Sequence, residues 1–483
     1  MTALPPLLRR LRALAPAALL AAALLAPAAA SAAGGSLPFA KAKRKPVDPD
    51  AVTTIASDRL DFDYSSFIAY FLGHAVVTDP EFVLRADKLF VTFDGTNDIV
   101  SIECRGNVDL KSDDLHATCG RATYTRENGQ VRLTESPFVR KGEQTLRARE
   151  ISIWLNDERA EATSDVVLES PSEAVSRRRR RPGEGARAGA PKGTTRATGD
   201  SLEVFYGEGS YALLRGNAVV RDPEAKLSSD SILVFFEGGS EVRQIVCTGS
   251  VRIEGDGAVA TCGKAVYTKA DALAVFTENP VATRDGRTLS GEKITLNTDT
   301  ERVVVDRNAR IVARPDSFAG KRSRPADAPP STVESDFLDY RRKDHVATFS
   351  GAVVVTDPDA DLRADRMTVR FTAEDEVESI ECDGKVVSIH APDPNEKTSA
   401  AAPGDLYADA GRAIYTRADS MVRLLGAWTD PTTGEPRETP LVRKGAGGAG
   451  KVTGDELKVD LVRRSVSTRN MSGSGILPVS SDK

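Results

Sequence analysis

At 483 residues the chain is long enough for roughly two to four ordinary domains. Hydrophobic residues make up 40%, enough for a real core, while 65 basic and 70 acidic side chains leave a net charge of -5. That balance excludes a general nucleic-acid binder, which carries a basic excess or stripe.

The chain opens on Arg9, Arg10 and Arg12, then an apolar stretch from Ala13 to Pro27, then the small residues Ala30-Ser31-Ala32-Ala33. A basic start, a short apolar run and an A-x-A-like site predict a secretory signal peptide over 1–33, cleaved on export. No later segment has the roughly 18 apolar residues of a transmembrane helix. The mature chain is therefore expected in an oxidising compartment.

Internal repetition organises everything downstream. Gly73-His-Ala-Val-Val-Thr-Asp-Pro80 returns as Gly216-Asn-Ala-Val-Val-Arg-Asp-Pro223 and as Gly351-Ala-Val-Val-Val-Thr-Asp-Pro358. Each copy is preceded by a short cue: Ser57-Asp-Arg-Leu60, Gly199-Asp-Ser-Leu202, Ser335-Asp-Phe-Leu338. Each is followed by Ile102-Glu-Cys104, Ile245-Val-Cys247 or Ile380-Glu-Cys382, then by Gly120, Gly263 or Gly411 before Ala-x-Tyr-Thr, and by Pro137, Pro280 or Pro440. Three modules follow, at 53–170, 195–314 and 332–478. Residues 171–194, with the run Arg177–Arg181, and 315–331 read as linkers. A Pro-containing insertion from Ala391 to Leu406 in the third module reads as a surface loop.

Within each module the apolar period is two. Leu89, Val91 and Phe93 alternate with Lys88, Phe90 and Thr92; Ile232, Val234, Phe236 and Met367, Val369, Phe371 repeat the pattern. Later strands place Ile102, Cys104, Val108 and Leu110 on one side, then Ile151 and Ile153, Ile294 and Leu296, or Leu457, Val459 and Leu461. Such alternation, cut by turn signals at Asp94-Gly95, Asn128-Gly129 and Asp285-Gly286, predicts short strands with one buried face. The fold class is all-β: tandem antiparallel β-jelly-roll modules.

Cys104 and Cys119 are separated like Cys247 and Cys262, while Cys382 faces a repeat in which Ala410 replaces the second cysteine. A hairpin turning at Lys111–Asp114 would bring Cys104 near Cys119. Two outcomes suit the pair: a disulfide, worth about 3 kcal/mol in the chain-entropy model, or two small buried hydrophobes. The disulfides Cys104–Cys119 and Cys247–Cys262 are the sharper expectation, with Cys382 left as a buried odd thiol. No ligand spacing points to a metal, and no cofactor is expected. Apolar parity switches across Gly120, Gly263 and Gly411, which predicts a β-bulge there. Asp79, Asp222 and Asp357, each before a proline, read as turn residues. Asp87, Asp230 and Asp365 read as solvated strand residues in preference to an acid–base pair. His74 aligns with Asn217 and Ala352, and no nucleophile elbow, phosphate loop or H-E-x-x-H occurs. An enzyme is not expected.

The ordered set of Ser/Gly-Asp-x-Leu60, Gly73 to Asp79-Pro80, Leu84-Arg-Ala-Asp-Lys-Leu-Phe-Val-Thr-Phe93, Ile102 with Gly106 and Val108, and Ala122-Thr-Tyr124 resembles the OstA-like, or LptA-like, family of lipopolysaccharide-transport domains. All three modules carry it. The resemblance implies a twisted jelly roll whose apolar groove holds acyl chains, in a periplasmic protein that binds lipopolysaccharide or a related lipid. It also implies docking to other β-jelly-roll transport proteins through strand edges. The inner-face residues then become the expected lining. In the first module these are Phe71, Val77, Leu89, Val91, Phe93, Ile102 and Val108. In the second they are Leu214, Ile232, Val234, Phe236, Ile245 and Val251. In the third they are Phe349, Met367, Val369, Phe371 and Ile380. Three modules joined by long linkers, and the cysteines, depart from the family pattern. The alternative is a structural β-repeat scaffold, or adhesin-like protein, without lipid.

Overall fold

The computed structural model describes residues 54–469 except for 80–81, 95–98, 113–114, 172–193, 222, 224, 238–240, 256, 285, 314–328, 358–359, 374–376, 392–404, 419–420, 446–449 and 461–464. The expected signal peptide, the Arg177–Arg181 run, Asp222 and most of the Ala391–Leu406 insertion lie outside the described residues. All regular structure among the described residues is β-strand.

The first repeat forms β1 (Thr54–Ala56), β2 (Arg59–Asp63), β3 (Ile68–Thr78), β4 (Val83–Phe93), β5 (Ile99–Lys111), β6 (Leu115–Thr125), β7 (Gln130–Thr134), β8 (Phe138–Lys141), β9 (Gln144–Arg147), β10 (Glu150–Trp154) and β11 (Arg159–Pro171). The second forms β12 (Thr194–Phe205), β13 (Tyr211–Arg221), β14 (Ala225–Glu237), β15 (Glu241–Gly255), β16 (Ala258–Thr268), β17 (Leu273–Thr277), β18 (Val281–Arg284), β19 (Arg287–Ser290), β20 (Lys293–Asn297) and β21 (Arg302–Ala313). The third forms β22 (Ser331–Arg341), β23 (Val346–Thr356), β24 (Asp361–Phe371), β25 (Val377–Ala391), β26 (Leu406–Thr416), β27 (Met421–Leu425), β28 (Trp428–Thr429), β29 (Pro436–Arg437), β30 (Leu441–Lys444), β31 (Gly450–Thr453), β32 (Glu456–Asp460) and β33 (Ser465–Arg469).

Two compact units divide the chain within β16, inside the second repeat. Of the described residues, one unit comprises 54–255 with 263–272 and the other 257–262 with 273–469. Both contain a junction between repeats, and both junctions are strand pairings. In the first unit β11 pairs antiparallel with β12 from Arg159↔Phe205 to Pro171↔Thr194. In the second, β21 pairs with β22 from Arg302↔Arg341 to Ala313↔Ser331. The stretches read as linkers therefore join strands that are hydrogen-bonded neighbours at those very ends.

The long strands bend at a recurring corner. Gly106 and Asn107 on β5 both have positive φ, as do Gly249 and Ser250 on β15. The ladder slips one residue there: Arg105 pairs with Arg121, and Val108 already pairs with Cys119. This is the register shift expected at Gly120, with the left-handed residues supplied by the facing strand. A β-carbon at Gly106 would run into the Asp87 carboxylate, and one at Gly249 into that of Asp230. Asp87 accepts from Asn107 Nδ2 at 2.9 Å, and Asp365 accepts from the Lys385 N–H at 2.8 Å. These aspartates are exposed strand residues, as expected, and their carboxylates also stand against the corner. Asp58, Asp200 and Asp336 of the opening cues stand the same way against Gly73, Gly216 and Gly351.

An apolar inner wall and its open edge

Because side chains alternate along each strand, the ladders decide which residues share a face. In the first repeat Phe71 pairs with Leu89, Leu89 with Cys104, and Cys104 with Ala122. The neighbouring row runs Ala69, Val91, Ile102, Tyr124. It continues through Val131, Ile153, Ala160 and Val204, crossing from the first repeat into the second. Beyond the corner Val77 pairs with Leu84 and Leu84 with Leu110. In the second repeat Leu214 pairs with Ile232, and Ala212 with Val234. Ile232 pairs in turn with Cys247, and Val234 with Ile245. In the third, Phe349, Met367 and Cys382 form one row, with Val369 and Ile380 in the next.

Two levels of burial separate the residues expected on the inner face. Leu89, Val91, Val108, Leu214, Ile232, Val234, Phe236, Ile245, Val251, Phe349, Met367, Val369 and Phe371 are buried. Phe71, Val77, Phe93, Ile102 and Ile380 are half-buried. The opposite face is charged. Lys88, Arg105 and Arg121 stand in one outer row, and Arg105 Nε donates to Glu103 at 2.7 Å. That hydrogen bond, with Arg121 beside it, holds the Glu103 carboxyl below its ordinary range.

The cysteines belong to the wall as buried thiols outside any disulfide. All five are buried and unbonded to one another. The expected disulfides are corrected by register in the first hairpin: Cys104 lies opposite Ala122, while Cys119 lies opposite Val108, on the other side of the corner. Cys247 and Cys262 are likewise buried and form no disulfide. Burial pushes the Cys104 thiol up to about 12, that of Cys119 to about 11 and that of Cys382 to about 12. At neutral pH these are neutral, inert side chains. Asp357, expected as a turn residue, is buried at the end of β23 and accepts from the Ser331 hydroxyl.

One end of the wall is open. Leu60, Leu202 and Leu338 occupy the same place in the three opening cues, yet they are 58%, 3% and 1% exposed. Leu202 is flanked by Ala162 and Leu214, and Leu338 by Val305 and Phe349. Leu60 pairs with Phe71 alone, since among the described residues β2 has β3 as its one partner. Among the described residues, the exposed large hydrophobics lie between Ile55 and Val100: Ile55, Leu60, Phe62, Tyr64, Phe67, Ile99 and Val100. Phe62 touches both Tyr64 and Phe93, with ring centroids 4.7 and 6.3 Å away. Sequence patterning marked none of β2 as special, because its residues match copies that are covered.

With this geometry in hand, the family model described as LptA/(LptD N-terminal domain) LPS transport protein matches residues 54–159, 191–302 and 332–463. The chain belongs to this family. The three matches fall on the three repeats, and the fold is the all-β, antiparallel jelly roll that the repeats predict. Among solved structures the chain is similar to LptH, the LptA homologous periplasmic component of the conserved lipopolysaccharide transport device from Pseudomonas aeruginosa. Identity is 19%, over 32% of this chain and 90% of that one, with a TM-score of 0.23. No curated protein matches the chain.

Proposed function

We propose that this protein is a periplasmic carrier that holds the acyl chains of lipopolysaccharide, or a related lipid, against its inner wall and performs no covalent chemistry. Membership of a lipopolysaccharide-transport family supports the ligand class. The observation that carries the rest is the uncovered end of the wall at Leu60 and Phe62. An exposed apolar surface in continuity with a buried one offers an acyl chain an entry that a closed core lacks. Each methylene taken from water contributes about 0.8 kcal/mol, so a few contacts suffice to hold a chain. β1 and β2 are also edge strands, able to accept a strand from another β-jelly-roll transport protein. Lipid would line up along Phe71, Leu89, Val91, Phe93 and Ile102 in the first repeat, then along Leu214, Ile232 and Val234 in the second.

A second reading has its own observation. Ile232, Val234 and Ile245 are sealed from solvent, as a filled scaffold core would be. Delipidated full-length protein distinguishes the two when titrated with lipopolysaccharide and followed by tryptophan-independent fluorescence of a labelled lipid. The carrier binds, and the double variant Leu60→Asp, Phe62→Asp weakens binding by about tenfold while leaving the fold intact. Absence of binding by the unmodified chain would favour the scaffold.

A further inference from the structure

The two junctions between repeats share a charged feature beside their apolar pairing. Each opening cue sets an acid after its leucine: Asp61 after Leu60, Glu203 after Leu202, Asp339 after Leu338. Each strand that covers such a cue from the preceding repeat opens on an arginine, Arg159 for β11 and Arg302 for β21. At the second junction the two meet. Arg302 Nε and Nη2 donate to the two carboxylate oxygens of Asp339 at 2.8 and 3.0 Å, a bidentate fork across the ladder. Arg341 Nε, on the same strand as the acid, donates to it at 3.2 Å. At the first junction Arg159 stands diagonal to Glu203, with its guanidinium 4.0 Å over the Trp154 ring.

Asp61 shows half of this arrangement. It accepts from Arg59 Nε of its own strand at 2.9 Å, as Asp339 does from Arg341, and among the described residues no second arginine faces it. Its side chain is 42% exposed, against 11% for Asp339. Leu60, next to it, lacks the neighbour that Ala162 gives Leu202 and Val305 gives Leu338. The chain's own last strand is a poor match for this edge. β33 lies on β32 in the register that sets β21 on β20, so Ser465 takes the place of Arg302 and Thr468 that of Val305. Serine brings no charge to Asp61, and threonine would set a hydroxyl against Leu60.

We infer that the β2 edge receives the last strand of a different β-jelly-roll protein, one that opens arginine, apolar, any residue, apolar, with the arginine closing on Asp61. Both covering strands within the chain carry that pattern, as Arg159-Ala-Glu-Ala162 and Arg302-Val-Val-Val305. Its two apolar residues fall opposite Phe62 and Leu60, as Val303 and Val305 fall opposite Tyr340 and Leu338. Backbone pairing alone accepts many strands, and a guanidinium fork on a carboxylate adds the selection. The inference rests on the reading of β1 and β2 as edges that accept a strand, and adds what that strand must carry.

Full-length protein is titrated with a fluorescently labelled peptide of residues 301–313, a copy of the covering strand β21. The peptide binds. Arg302→Ala in the peptide weakens binding about tenfold, and so does Asp61→Asn in the protein, the effect of one charge-assisted contact. The two changes together weaken it no further than either alone, because both remove the same fork. A peptide of residues 464–476 binds about tenfold more weakly than the first, and Ser465→Arg with Thr468→Val in it restores the affinity. The outer-face variant Lys88→Gln changes none of these values. Binding that ignores Arg302 and Asp61 overturns the inference and leaves the edge reading standing. Absence of binding by every peptide overturns the edge reading, and the inference with it. Self-association of the full chain in sedimentation, lost in Asp61→Asn, overturns the inference by making a second copy the occupant.

Discussion

The first repeat and the second are built from the same anchors, yet one has a naked edge and the other is sealed on both flanks. Leu60 and Leu202 make the contrast concrete, at 58% and 3% exposure. The difference is not in the residue or the strand. It lies in the strands beside them: β12 is covered by β11, while β2 has β3 as its one partner among the described residues. The second and third copies complete their walls with the preceding repeat's last strand, and among the described residues the first copy has no such strand.

That comparison is sharpened by truncating the equivalent leucines. Leu202→Ala or Leu338→Ala should cost about 2–5 kcal/mol, the range for buried leucines, as read from denaturant midpoints. Leu60→Ala should cost less than about 1 kcal/mol, since little of its surface is removed from water. Equal costs at the three sites would mean that β2 is covered in solution.

Smaller effects are expected at the corner. Gly249→Ala must place a β-carbon at positive φ and against Asp230, which should cost about 1–3 kcal/mol in the same assay. A neutral result would remove the aspartate-buttressed bend as a feature shared by the repeats.

The thiols give a yes-or-no reading. With Cys104 raised to about 12 and Cys119 to about 11, the folded protein should react with no aromatic disulfide reagent at mildly alkaline pH. Unfolding without reductant should release all 5. A smaller number would reinstate a disulfide.

The slightest effect belongs to His74. Its Nδ1 lies 2.8 Å from Asp58, and this hydrogen bond, aided by the carboxylate charge, raises its pKa above the ordinary 6.5. The sign follows from linkage: the pair's contribution is complete below the ordinary value and is lost as pH rises through the raised one. Nuclear magnetic resonance should find the His74 midpoint above 6.5, and Asp58→Asn should return it there.

Much of this fold was legible in the chain. Period-two alternation found the strands and the inner face, since a strand's two sides are set by its own residues. Register was harder. The cysteine pair was misplaced because the left-handed step at Gly106 and Asn107 shifts the ladder between the two thiols. Asp87 and Asp230 are exposed as read, but the glycines they stand against sit on the next strand, at corners that local patterning does not display. The stretches 171–194 and 315–331 read as spacers from composition, which carries no information on the pairing of the strands they join.

Photo-crosslinking to lipopolysaccharide tests the carrier account most directly, with one reactive side chain at a time placed at Phe62, Val108 or Lys88 of the full-length protein. The account predicts adducts from Phe62 and Val108, on the wall, and none from Lys88, on the charged outer face. Labelling of equal yield from both faces would contradict it.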